Sequence, residues 1–143
     1  MRLQTLVVPI AFGLGLVLPI KAADDLSMPQ PVVQDRITYL TGGIGKEEAD
    51  YMNALVKRYD LAVYFVEQKT GKFLADIDVV IEDRKGEILL ASMVSGPIFL
   101  AKLPVGRYKI TAIESGREKE RYTRITGKSA VRLVFHWPSQ PET

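Results

Sequence analysis

Between Tyr59 and Trp137 apolar residues recur at every second position, in short runs that turn residues interrupt. That pattern narrows the possible folds more than any other feature of the chain, because a period of two puts alternate side chains on one face of a strand. Leu61, Val63 and Phe65 make the first series, and Lys69-Thr70-Gly71 predicts a turn after it. Ala75, Ile77, Val79 and Ile81 then alternate with Asp76, Asp78 and Glu82. Asp83-Arg84-Lys85-Gly86 predicts a hairpin connection into a strand over Ile88 to Val94, and Ser95-Gly96-Pro97 breaks that strand before Ile98 to Leu100. Arg107 to Glu114 carries Tyr108, Ile110 and Ala112 on one face, Ser115-Gly116 turns it into the charged stretch Glu118 to Ile125, and Gly127-Lys128 turns again. The last strand, Ala130 to Trp137, aligns Val131, Leu133, Phe135 and Trp137 before Pro138 ends it. Short strands with one apolar face each bury that face against a second layer, and no helical period separates them. The expected fold is therefore mainly β: an Ig-like antiparallel β-sandwich over residues 59–138.

Upstream the period is different. Met52, Leu55, Val56 and Tyr59 have helical spacing, with Glu47, Glu48 and Asp50 early and Lys57 and Arg58 late, an order that suits the helix dipole at both ends. One short amphipathic helix is expected over 46–58, packed on the sandwich, since a free helix of this length is marginal in water. Residues 23–45, with Pro29, Pro31 and a glycine-rich end at Gly42, Gly43 and Gly45, read as an extended arm or linker. Residues 139–143 read as a polar tail.

The first 22 residues have the layout of a cleavable signal peptide. Arg2 precedes an apolar run from Leu6 to Ile20, and Lys21-Ala22-Ala23 stands before Asp24-Asp25. Cleavage is expected after Ala22, because cleavage one residue later would place Lys21 where a small residue is wanted. The apolar run is shorter than a bilayer span and contains Pro9 and Pro19, so no transmembrane segment is expected after cleavage. Loss of Arg2 and Lys21 would leave basic and acidic residues balanced at 17 each. A neutral mature chain argues against nucleic acid as partner. The chain has no cysteine, so its stability would come from an ordinary core rather than from disulfides.

The segment Leu103-Pro104-Val105-Gly106-Arg107-Tyr108-Lys109-Ile110 resembles the Leu-Pro-x-Gly-x-Tyr-x-hydrophobic signature of carboxypeptidase regulatory-like and Cna B-type domains. The resemblance implies a transthyretin-like (prealbumin-like) sandwich over Tyr59 to Trp137. Leu103, Pro104, Gly106 and Tyr108 carry it: Pro and Gly for a tight turn, Leu103 as a lid on the core, and Tyr108 entering the next strand pointing inward. Gly42-Gly43-Ile44-Gly45-Lys46-Glu47-Glu48 is similar to a stretch of small proteobacterial exported proteins, which implies a periplasmic address. Two properties of related sandwiches do not carry over. The strand Leu61 to Val66 has no Lys and no Asn follows Asn53, so the isopeptide bond of Cna B-type domains is not expected. The transthyretin-like hydroxyisourate hydrolases use several His and a terminal Tyr-Arg-Gly-Ser, whereas this chain has only His136 and ends Pro141-Glu142-Thr143.

Candidate chemistry is sparse. His136 is out of phase with Phe135 and Trp137, and a lone imidazole builds neither a metal site nor a triad. Asp76, Asp78 and Glu82 share a face and invite comparison with a calcium site or an acid/base pair, but cross-strand ion pairs with Arg107 or Lys109 explain them as well. Lys69-Thr70-Gly71 lacks the Ser-x-x-Lys partner that would give it meaning, and Gly13-x-Gly15 lies in the leader. The mixed charges from Arg117 to Arg121, continued by Arg124, read as solvation and edge protection rather than as a patch for anionic ligands. The expectation is thus a non-catalytic periplasmic accessory or binding module, without cofactor or metal, that contacts a protein or glycan through sandwich loops or a sheet edge. The alternative is a periplasmic hydrolase or metal-assisted enzyme using Asp76, Asp78 and His136.

Overall fold

A computed structural model describes residues 28–141. The elements run β1 (Val32–Gln34), β2 (Ile37–Gly42), α1 (Lys46–Leu55) with a 3-10 turn at Val56–Arg58, β3 (Leu61–Glu67), β4 (Ile77–Asp83), β5 (Ile88–Val94), β6 (Ile98–Ala101), β7 (Gly106–Glu114), β8 (Arg117–Ile125) and β9 (Val131–Trp137). Two sheets form, one in the order β1-β2-β6-β3-β9 and the other β5-β4-β7-β8. The mainly β two-layer sandwich expected from the alternation is present, with one short helix. The expected leader, 1–22, lies outside the described residues.

The inner faces meet in one core. Phe65, Phe99, Leu133, Phe135 and Trp137 from the first sheet pack against Ile77, Val79, Ile81, Leu90 and Ile110 from the second. Phe135 and Trp137 stack with ring centroids 5.9 Å apart. The first sheet has a second buried face. Leu40, Ala62, Tyr64, Ile98 and Leu100 point outward from it and are covered by Met52, Val56 and Tyr59. Burying a side chain such as Met52 stabilises by roughly 1.5–3 kcal/mol, which is why a ten-residue helix persists here. Tyr64 is satisfied under that cover, donating to Asn53 Oδ1 at 2.9 Å and accepting from Arg132 at 3.2 Å. Among the described residues, no such cover lies on the outer face of the second sheet.

Three expectations need correction. Residues 23–45 are not a linker throughout: β1 and β2 lie within them, β2 pairs with β6, and Ile37, Tyr39 and Leu40 are buried. The sandwich therefore begins before residue 59. β2 is buried on both faces, Tyr39 toward the core and Leu40 toward the helix, so its side chains show no alternation to read. The sandwich is not wholly antiparallel either, since β3 and β9 pair in parallel from Leu61↔Val131 to Glu67↔Trp137. Finally, the strand expected from Ala75 starts at Ile77. Asp76 has φ +57°, a left-handed conformation that cannot continue a strand, and Ala75 is exposed.

Candidate functional site

The three residues singled out as an alternative site are spread over the molecule. Asp78 is on the outer face of β4, opposite Met93 and Ile113. Asp76 precedes that strand, with its backbone N–H on Ser95 O at 3.4 Å. His136 is exposed on β9 in the other sheet, opposite Val66. These positions make no joint site, and among the described residues no group of His, Asp and Glu gathers to hold a metal. Of the cross-strand pairs, Lys109 does bind Glu82, at 3.1 Å, with Glu120 at 3.8 Å.

The signature residues close one end of the sandwich. Leu103 is buried, and its N–H donates to Asp60 Oδ2 at 3.0 Å. Tyr108 is buried in β7, and its hydroxyl donates to Pro104 O at 2.6 Å. Burial, then the carboxylates of Asp83 and Asp60, push the Tyr108 phenol above its usual pKa. This phenol holds the β6–β7 loop to the strand that follows it, with its proton committed to a carbonyl.

That closed end borders a cleft of about 960 Å³, lined by Asp83, Arg84, Lys85, Val105, Arg107 and Arg124 among others. A second lobe of about 490 Å³ shares Asp83, Arg84, Arg107, Tyr108 and Arg124 with it and extends along the sheet to Lys109 and Tyr122. Both volumes fall within the usual range for small-molecule sites. The arginines converge for topological reasons. β7 and β8 are antiparallel with Arg107 directly opposite Arg124, so both guanidinium groups leave the same outer face. Arg84 and Lys85 come from the β4–β5 turn beside them. Asp83 is the carboxylate of that turn, and its Oδ1 accepts from the backbone N–H groups of Lys85 at 2.8 Å and Glu87 at 3.0 Å.

Like charges opposite one another across a strand pair are destabilising. Here the repulsion stands uncompensated, for among the described residues no ion pair involves Arg84, Lys85, Arg107 or Arg124. At the other end of the same β7–β8 pair, Arg117 is bound to Glu114, its N–H groups donate to that carboxylate and, at 2.6 Å, to Pro138 O, and its own carbonyl accepts from the Trp137 indole at 3.0 Å. Arg121 is likewise occupied, donating to Val134 O at 3.2 Å. The charged run of β8 therefore splits. Arg117 and Arg121 seal the approach of β8 to β9, while Arg124 faces the cleft. The sequence reading treated the run as one solvated face and missed this. The available signal was the turn at Ser115-Gly116, which registers Arg107 against Arg124 once a two-residue hairpin is assumed.

No family model matches this chain, and no curated protein is similar to it in sequence. Among solved structures, 5-hydroxyisourate hydrolase from Klebsiella pneumoniae is similar, with 20% identity and a TM-score of 0.47, covering 58% of this chain and 92% of that one. That neighbour is an enzyme. That finding stands against the expectation of a non-catalytic accessory or binding module, and the reading is set aside.

Proposed function

We propose that this chain is an exported protein of the periplasm whose working site is the cleft between the β4–β5 turn and the open end of β7 and β8, and that the site takes a small anionic ligand. The observation that carries the reading is the placement of Arg107 and Arg124 opposite each other, with Arg84 beside them and no carboxylate partner to any of the three among the described residues. Such an arrangement is unfavourable in the empty protein and favourable once a negative charge lies between the guanidinium groups, whose planar forks suit carboxylate, phosphate and sulfate. Recognition of this kind is what an enzyme acting on an anionic substrate needs, and the proposal concerns the class of ligand. The leader-like pattern of residues 1–22 supports export.

Titration of the isotope-labelled protein with benzoate, sulfate and phenyl phosphate, followed by amide and arginine Nε resonances, tests the reading. Shifts confined to residues 83–85, 105–109 and 122–126, lost in the double variant Arg107→Gln/Arg124→Gln, are expected. Absence of shifts there with all three anions, or shifts that survive in the double variant, would overturn it.

A further inference from the structure

Resting on the anionic-ligand reading, we propose that the group the cleft selects is a dianion of the phosphomonoester type rather than a singly charged carboxylate or phosphodiester. The argument is a count of charges and forks. Arg84, Lys85, Arg107 and Arg124 bring four cations to the walls of the two lobes, against the single carboxylate of Asp83. That carboxylate is turned into its own hairpin, where two backbone N–H groups hold one of its oxygens. Further along the face Lys109 lies between Glu82 and Glu120, one cation against two carboxylates.

A monoanion would answer one of the two opposed guanidinium groups and leave the other facing a like charge. In-register residues of an antiparallel pair have Cβ atoms about 4.5–5.5 Å apart, so the Arg107 and Arg124 side chains can both reach one tetrahedral group between them. A phosphomonoester presents three strong acceptor oxygens and close to two negative charges at neutral pH. It can take a fork from each arginine of the pair, the two forks sharing one oxygen, and its remaining lone pairs can accept from Arg84. The arginines stand where the two lobes meet, since both lobes include Arg84, Arg107 and Arg124. The ester substituent therefore has room in one lobe while the phosphate occupies the junction. Tyr122, 75% exposed on the outer face of β8, borders the lobe along the sheet and offers the substituent an aromatic surface.

The test compares ligands of one shape and two charges at a single pH and constant ionic strength. Phenyl phosphate and methyl phenyl phosphate are titrated calorimetrically into the protein, with benzoate as a second monoanion. Phenyl phosphate is expected to bind at least about tenfold more tightly than either monoanion, the step that one further charge-assisted hydrogen bond supplies. Arg107→Gln and Arg124→Gln should each erase most of that difference while leaving weak binding of the monoanions within about twofold, because one guanidinium suffices for those. Equal affinity for monoester, diester and benzoate, with the same dependence on Arg107 and Arg124, would overturn the dianion while leaving the anion site standing. Failure of all three to bind would overturn both. Vesicles of phosphatidylcholine with and without phosphatidate separate the sources of the group. Retention that phenyl phosphate competes away supports a lipid headgroup as its carrier, and binding of phenyl phosphate without retention supports a soluble ester.

Discussion

The β7–β8 pair places arginines at both ends, and the two ends differ in what those arginines meet. At the hairpin end Ser115 and Gly116, with φ +48° and +77°, make the two-residue turn whose twist matches paired strands, and Arg117 is gripped by Glu114, Pro138 and the Trp137 side chain. At the open end Arg107 and Arg124 face each other without any such partner among the described residues. The same side chain is a structural clasp in one place and an unanswered charge in the other. One hairpin thus pairs an arginine at its turn and leaves two without an ion pair at its far end among the described residues, and the proposed anion site rests on that contrast.

The largest effect is expected at the hairpin end. Trp137 is fully buried, stacks on Phe135 and donates its indole N–H to Arg117 O. Trp137→Ala should destabilise by about 3–5 kcal/mol, read as a lowered urea midpoint, and should leave the anion-induced shifts at Arg107 and Arg124 in place below the transition. Loss of those shifts in the folded variant would show that the two ends are one unit and dissolve the contrast.

Glu114 gives the next effect. Burial by itself would raise its carboxyl pKa, but the hydrogen bonds from Arg117 and Ser115 together with the Arg117 charge outweigh burial and hold it below the usual carboxylate range. A carboxyl with a lower pKa in the folded than in the unfolded chain contributes stability above the unfolded value, near 4.3 on the ordinary glutamate scale. That contribution falls away as acid carries the pH through the lower folded value. Glu114→Gln should therefore lower stability by about 1–3 kcal/mol at neutral pH, and its penalty should shrink as the pH drops below about 4. A penalty unchanged by acid would show that the clasp works by shape and not by charge.

The open end should respond with the opposite sign. Arg107→Gln/Arg124→Gln removes a like-charge pair, so the urea midpoint of the ligand-free protein is expected to stay level or rise, by up to about 1 kcal/mol. Phenyl phosphate should stabilise the unmodified protein and not the double variant. A clear loss of stability in the double variant without ligand would mean that these arginines hold the fold together, and the two ends would then differ only in degree.

How much of this was legible in the sequence follows the same division of surfaces. β4 and β7 alternate because one face meets the core and the other meets water, so Ile77, Val79, Ile81 and Tyr108, Ile110, Ala112 announce themselves as strands. β3 and β6 are buried on both faces, and β2 nearly so. In β2 that removes the alternation altogether, which hid Ile37–Gly42 inside an apparent linker. The parallel pairing of β3 with β9 leaves no local trace, because partners 70 residues apart in sequence, such as Leu61 and Val131, are joined by topology alone. The cleft was least legible of all. Arg84 comes from the β4–β5 turn and Arg107 and Arg124 from the ends of two strands, and each alone reads as an exposed charge.

The smallest effect tests the specificity of the contrast. Lys109 borders the lobe along the sheet, yet it is already bound to Glu82 at 3.1 Å and sits near Glu120. The hydrogen bond to Glu82, helped by the charges of Glu120 and Glu82, outweighs burial and raises its pKa, so it stays a cation whose charge is spent within the sheet. Lys109→Gln should therefore change the affinity for phenyl phosphate by less than about twofold, whereas Arg107→Gln costs about tenfold. If the two substitutions weaken binding equally, the site responds to net positive charge on the face and not to the opposed arginines. Binding would then fall steeply with added salt in both variants, as screening of loosely held surface charge requires.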